Sequence, residues 1–307
     1  MNYAMYYYYD NFSDVFECTP KVRHGAVIEL FDCKVKFHTL GEHLIVFWVD
    51  GEKHSKEEAY EICKEVSKVF SYIFALPFYS KENQFYEVES KIEKNTLFSK
   101  QSLGKLEYIE GKILKFEEIK PFFNQCLNLL VIAFDNLFKE RDEDAFMYFF
   151  KVVERIAKED YMETQRKLDN KSTKKRNKNK IRDFLREYGL EELQVQLTDD
   201  MLNNKTDLIY NEILREFYGS TYNKIALFIT KHNIDINVED INKLVHLRNK
   251  IAHGDIIDEK EIKNYVGRCE YLAMQLFSMC FFRKEYKELH ITSYRWFLQE
   301  DPYVTKG

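Results

Sequence analysis

Three residues near the end of an apolar helical run have side chains suited to phosphodiester chemistry: Arg248, Asn249 and His253, in the segment 245–255, VHLRNKIAHGD. Arginine stays charged at any working pH and offers a planar fork to phosphate oxygens. Histidine titrates near neutrality and can take or give a proton. Neither Lys nor Gln can fill both roles. Asn249 can hold the imidazole or contact phosphate. An isolated Arg-x4-His pair is a weak pattern. Its context sharpens it: Asn follows the Arg, small Ala252 precedes the His, and Gly254 follows.

An element must hold these groups at one edge, and the sequence supplies a helix. Leu244, Leu247 and Ile251 form an apolar stripe at helical spacing, and Val238 to Ala252 reads as one helix. Gly254 stands where a left-handed cap residue belongs. That puts His253 at the helix C-terminus, where the macrodipole favours positive charge. Asn249 and His253 are four apart and share a face. Arg248 lies about 140° around the helix from His253, and its long side chain can swing to the same edge.

Arg248-Asn249-x-x-x-His253 resembles the signature of the HEPN superfamily: Arg, usually a polar residue next, then His after a gap of four to six residues. The resemblance covers roughly Pro121 to Phe282. The layout of the N-terminal part is similar to that of ApeA-like and MauJ-like bacterial HEPN proteins. The resemblance implies an all-α helical domain that forms a homodimer, so that two Arg/His pairs face one cleft. It implies a metal-independent endoribonuclease of a toxin or phage-defence (abortive-infection) system, without cofactor, leaving 2′,3′-cyclic phosphate ends. Its partners would be single-stranded or looped RNA and an antitoxin or defence-system protein. An acidic residue on an earlier helix often orients the Arg in such proteins, and Glu154 matches that placement. Toxins silenced by adenylylation carry a Tyr two residues after the His. Asp255 stands there, so control of that kind is not implied. HEPN-like folds also serve as non-catalytic RNA- or protein-binding dimers, which is the alternative reading.

Each of these residues also has a structural use. Arg248 can pair with Glu239 or Asp240 on the surface. His253 can donate to the free carbonyls of a helix end. His246 lies about two turns behind His253 and reads as structural, with a supporting role at the site as the rival. His24, His38, His43 and His54 show no ligand spacing, and no metal is expected. Asp199 and Asp200 read as a loop or helix-start signal.

The segment 166–182 holds nine Lys or Arg and one acid, Asp169. A like-charge run of this kind reads as a solvated, mobile loop, or as an arm that attracts phosphate through Lys171, Lys174, Lys175, Arg176, Lys178 and Lys180. No aromatic interrupts it, so bases have nothing to stack on there. The whole chain carries a formal net charge of −5, which excludes a globally basic nucleic-acid coat and leaves any RNA contact to a local patch.

The remaining sequence supports a predominantly helical α+β protein. Gly and Pro number only 10 and 4 in 307 residues, which argues for long helices with few breaks. Within 1–118 an α+β part is expected, for partner binding or sensing: a half-buried strand over Val27–Phe37, a more buried one over Leu44–Val49, and a turn at Gly41. A helix capped by the box Ser55-x-x-Glu58 follows and ends near Pro77. One to three short strands are expected in Phe85–Phe116. Within 119–307 a HEPN-like helical domain is expected: Phe122–Lys139 begun by Pro121, a helix through Phe146–Ala157 after the Arg141–Asp144 break, then Ile181–Tyr188, Thr206–Phe217, Tyr222–Lys231, Val238–Ala252 and Glu259–Phe282. The six cysteines form no C-x-x-C pair and read as reduced thiols. No stretch is long and apolar enough for a membrane span, and the Tyr-rich start is no secretory signal, so a cytoplasmic protein is expected.

Overall fold

The computed structural model describes residues 1–8, 27–38, 44–78, 84–89, 91–93, 100–168, 171–188 and 199–291. It is predominantly helical, with a small N-terminal antiparallel sheet followed by helices. The strands are β1 (Asn2–Tyr8), β2 (Val27–Leu30), β3 (Cys33–His38), β4 (Leu44–Val49) and β5 (Phe85–Val88), in the order β2-β3-β4-β1-β5. The helices are α1 (Lys56–Phe74), α2 (Lys100–Ile113), α3 (Lys120–Phe138), α4 (Asp142–Leu168), α5 (Lys171–Tyr188), α6 (Asp199–Tyr218), α7 (Thr221–His232), α8 (Val238–His253), α9 (Glu259–Phe282) and the short α10 (Tyr286–Leu289).

Two compact units are distinguished. One comprises Met1–Val152 with Ile256–Gly307; the other is Val153–Asp255. The change of texture at 118/119 falls between α2 and α3.

In the first unit the apolar run of β4 has a direct cause. Ile45, Val46, Phe47, Trp48 and Val49 are all buried, because both faces of this strand are covered. On one face Phe47 meets Phe70 of α1 edge-on at 5.4 Å and Tyr7 of β1 at 5.2 Å between ring centroids. On the other, Val46 and Trp48 pack with Ala4, Tyr6 and Val88. Helix α1 starts where its capping box requires: the Glu58 N–H donates to Ser55 Oγ at 3.3 Å, and the Ser55 N–H donates to Glu58 Oε2 at 2.9 Å. It ends on Ala75 in the left-handed region, two residues before Pro77. A second aromatic cluster joins Tyr72 of α1 to Phe277 and Phe282 of α9. Burial pushes the Tyr72 hydroxyl well above its ordinary pKa.

Two expectations are corrected. Val27–Phe37 is not one strand but a hairpin, turned by Phe31 and Asp32 at φ 49° and 62°. The turn is held by the Phe31 N–H, which donates to Glu110 Oε1 of α2 at 2.7 Å. Of the one to three short strands expected in Phe85–Phe116, the described residues hold one, β5, and then helix α2. The Tyr run at the N-terminus is β1, an inner strand between β4 and β5. Nor are the described residues of 166–182 a loop: Arg166 and Lys167 close α4, and Lys171 onward forms α5. Lys and Arg are good helix formers, and acids on α6 offset part of their mutual repulsion. The expected turn at Gly41 lies outside the described residues. Among the described residues, Cys33, Cys63, Cys126, Cys269 and Cys280 form no disulfide.

Candidate active site

Helix α8 is built as its sequence pattern requires. The Asn237 side chain caps it by accepting from the Glu239 N–H at 2.9 Å. Ile241, Leu244 and Leu247 are buried, and Ile251 is half-buried. At the far end Gly254 adopts φ 79°, with its N–H donating to Ile251 O and the Asp255 N–H donating to Lys250 O at 3.1 Å. This is the left-handed closure that glycine permits at low cost. His253 is therefore the last residue of the helix, and it is exposed.

Arg248 is held rather than free. Its Nη2 lies 3.0 Å from Glu154 Oε1 and 3.3 Å from Oε2, across 94 residues of sequence. Its Nη1 donates to Asn249 Oδ1 at 3.2 Å. The two charged side chains are 32% and 26% exposed, so most of the pair is out of water while an edge stays open. Glu154 is a half-buried residue of α4, flanked by buried Val153, Ile156 and Ala157, and this packing aims it at α8. The Arg248 Nε is buried and has no hydrogen-bond partner among the described residues. The carboxylate and the amide thus fix the plane of a guanidinium that would otherwise sample many rotamers.

Of the sequence-predicted residues, Arg248, Glu154 and Asn249 are brought together directly. Asn249 holds the guanidinium; among the described residues no hydrogen bond joins it to His253. His253 follows one turn beyond Asn249 on the same helix. Arg248 engages Glu154 on another helix, rather than making only a local pair with Glu239 or Asp240. His246 is exposed on α8. Lys174, Lys175, Arg176, Lys178 and Lys180 lie on α5, which also begins with Lys171. Asp199 and Asp200 form the first turn of α6, and Asp199 pairs with Arg182 and Arg186, which hold its carboxyl below the ordinary aspartate value.

One polar cluster was not legible in the sequence. Asp160 of α4, 11% exposed, lies 2.6 Å from Lys231 Nζ and 3.7 Å from His232 Nε2 on α7, and Lys231 also reaches Thr164. The His232 ring packs on Phe228 at 4.3 Å. No local signal marks a pairing 71 residues apart. Among the described residues no three His, Cys, Asp or Glu side chains gather as a metal site would need, and no helix is long and apolar enough to cross a membrane.

Comparison with protein-family models, with curated proteins and with solved structures finds no match in any of the three.

Proposed function

We propose that this chain is a metal-independent endoribonuclease of HEPN type, a toxin or phage-defence effector that acts as a homodimer on single-stranded or looped RNA. The observation that carries the reading is the Glu154–Arg248 pair. A carboxylate from a separate helix holds the arginine half-buried, and an exposed histidine follows five residues later at a glycine-closed helix end. Unpaired RNA is the substrate because its backbone can reach in-line geometry.

In the composite cleft, His253 of one chain takes the proton from the ribose 2′-OH. The 2′-oxygen bonds to phosphorus while the P–O5′ bond breaks. His253 of the other chain delivers a proton to the leaving O5′. The products are a 2′,3′-cyclic phosphate and a 5′-hydroxyl. Arg248 stabilises the charge that grows on the non-bridging oxygens, and donors already fixed in place need no reorganisation to do so. Glu154 and Asn249 are positioning residues: they act through Arg248. The sheet-bearing part would receive the trigger or partner.

The test is cleavage of mixed RNA in EDTA by wild type and by His253→Ala, with the product ends typed. Loss of a general acid or base costs about 10²- to 10⁴-fold in rate. Full activity in His253→Ala refutes the mechanism. Tight RNA binding with no cleavage by wild type would support a non-catalytic binding module instead.

A further inference from the structure

The basic segment folds into a helix whose cations are sorted by face. Taking Lys174 as the origin at 100° per residue, Lys178, Arg182 and Lys175 fall within about 100° of it, while Arg176 and Lys180 fall on the opposite side. The first four line a groove of about 330 Å³ between α5 and α6, with Asn179 of α5 and Asn203, Thr206 and Asp207 of α6 completing it. Four cations therefore face one carboxylate, in a chain whose net charge is −5.

The acids of α6 leave this charge partly unanswered. Asp207 takes Lys178, and Asp199 takes Arg182 together with Arg186. Lys174 and Lys175 are exposed and have no carboxylate partner among the described residues. Lys174, Lys178 and Arg182 are also successive i,i+4 neighbours and repel one another. An anion lying along the groove would answer both conditions. The lining has amide and hydroxyl groups but no aromatic ring, so it suits phosphate oxygens and offers no platform for bases.

We infer that the α5–α6 groove binds the phosphodiester backbone of the RNA substrate through Lys174, Lys175, Lys178 and Arg182, and that Arg176 and Lys180 take no part. The inference deepens the ribonuclease reading by assigning a second contact to the same substrate. The four cations span about 12 Å along the helix axis, enough to follow a strand rather than a single ion.

Binding is measured by fluorescence anisotropy over a salt series, with labelled single-stranded RNA fully 2′-O-methylated so that it cannot be cut. Each phosphate contact on a single strand contributes about 0.7 to the slope of log K against log salt. Lys174→Ala/Lys175→Ala should make the slope shallower by about 1.4 and weaken binding. Arg176→Ala/Lys180→Ala removes the same charge from the same helix and should leave the slope as in wild type. Circular dichroism of both variants should retain the helical signal, since all four side chains are exposed. Equal effects from the two pairs, no effect from either, or no binding by wild type at low salt would each overturn the groove. The ribonuclease reading fails separately: a protein that never cuts RNA but keeps the difference in slope retains the groove, and one that cuts RNA with equal slopes loses only the groove.

Discussion

Removing Glu154 tests how the arginine is held. In Glu154→Ala the guanidinium keeps, among the described residues, only Asn249 at 3.2 Å, and its Nε stays buried without a partner there. Exposed ion pairs contribute about 0.2–1 kcal/mol, and breaking a fully buried one costs about 3–5 kcal/mol. With its side chains 32% and 26% exposed, this pair lies between the two limits, nearer the surface value. A coupling of about 1–2 kcal/mol follows from that placement. Urea unfolding of wild type, Glu154→Ala, Arg248→Ala and the double variant measures it as a double-mutant cycle. An interaction energy within the ~0.5 kcal/mol scatter of independent sites would refute the reasoning. The same variants carry a kinetic test of positioning. Glu154→Gln keeps one acceptor oxygen and should retain more kcat/KM than Glu154→Ala. Both should retain more than His253→Ala, whose loss is about 10²- to 10⁴-fold. Identical rates for wild type and Glu154→Ala would remove Glu154 from the site.

Two further predictions concern the frame. Asp199 has its pKa lowered by Arg182 and Arg186, so the stability it lends the α5–α6 pair is complete above the ordinary aspartate pKa and is lost as pH falls through the depressed one. Amide-exchange protection of α5 should drop in that acid window, and Asp199→Asn should give the low-pH behaviour already at neutral pH. Gly51 follows β4, and a Cβ there would lie 1.9 Å from the Met1 carbonyl oxygen, so Gly51→Ala must displace the start of β1. Such overpacking costs about 1–3 kcal/mol, read as a lower urea midpoint, and an unchanged midpoint would contradict it.

What could be read from the sequence was local. The Ser55–Glu58 box, the Gly254 cap and the stripe of Leu244 and Leu247 each rest on contacts within one or two turns of chain, so residue types at fixed spacing were enough. The buried run of β4 was legible because a strand covered on both faces needs apolar residues at every position. Other elements depended on neighbours distant in sequence. The hairpin at Phe31–Asp32 carries two non-glycine residues at positive φ and is held by Glu110, 79 residues on. The Tyr-rich β1 draws its strand character from pairing with β4 and β5. Charge alone could not decide whether 171–182 would be loop or helix, because the answer lay partly with Asp199 and Asp207 of α6.

The candidate site divides along the same line. Arg248, Asn249 and His253 declared themselves by spacing on one helix. Glu154 entered through a family resemblance, and nothing in its own neighbourhood distinguished it from the other acids of α4. The apposition of its carboxylate to Arg248 is a tertiary fact: it requires two helices 94 residues apart to be packed at one register. Helical periodicity says which residues share a face, but only the burial of Val153, Ile156, Leu244 and Leu247 decides which faces meet.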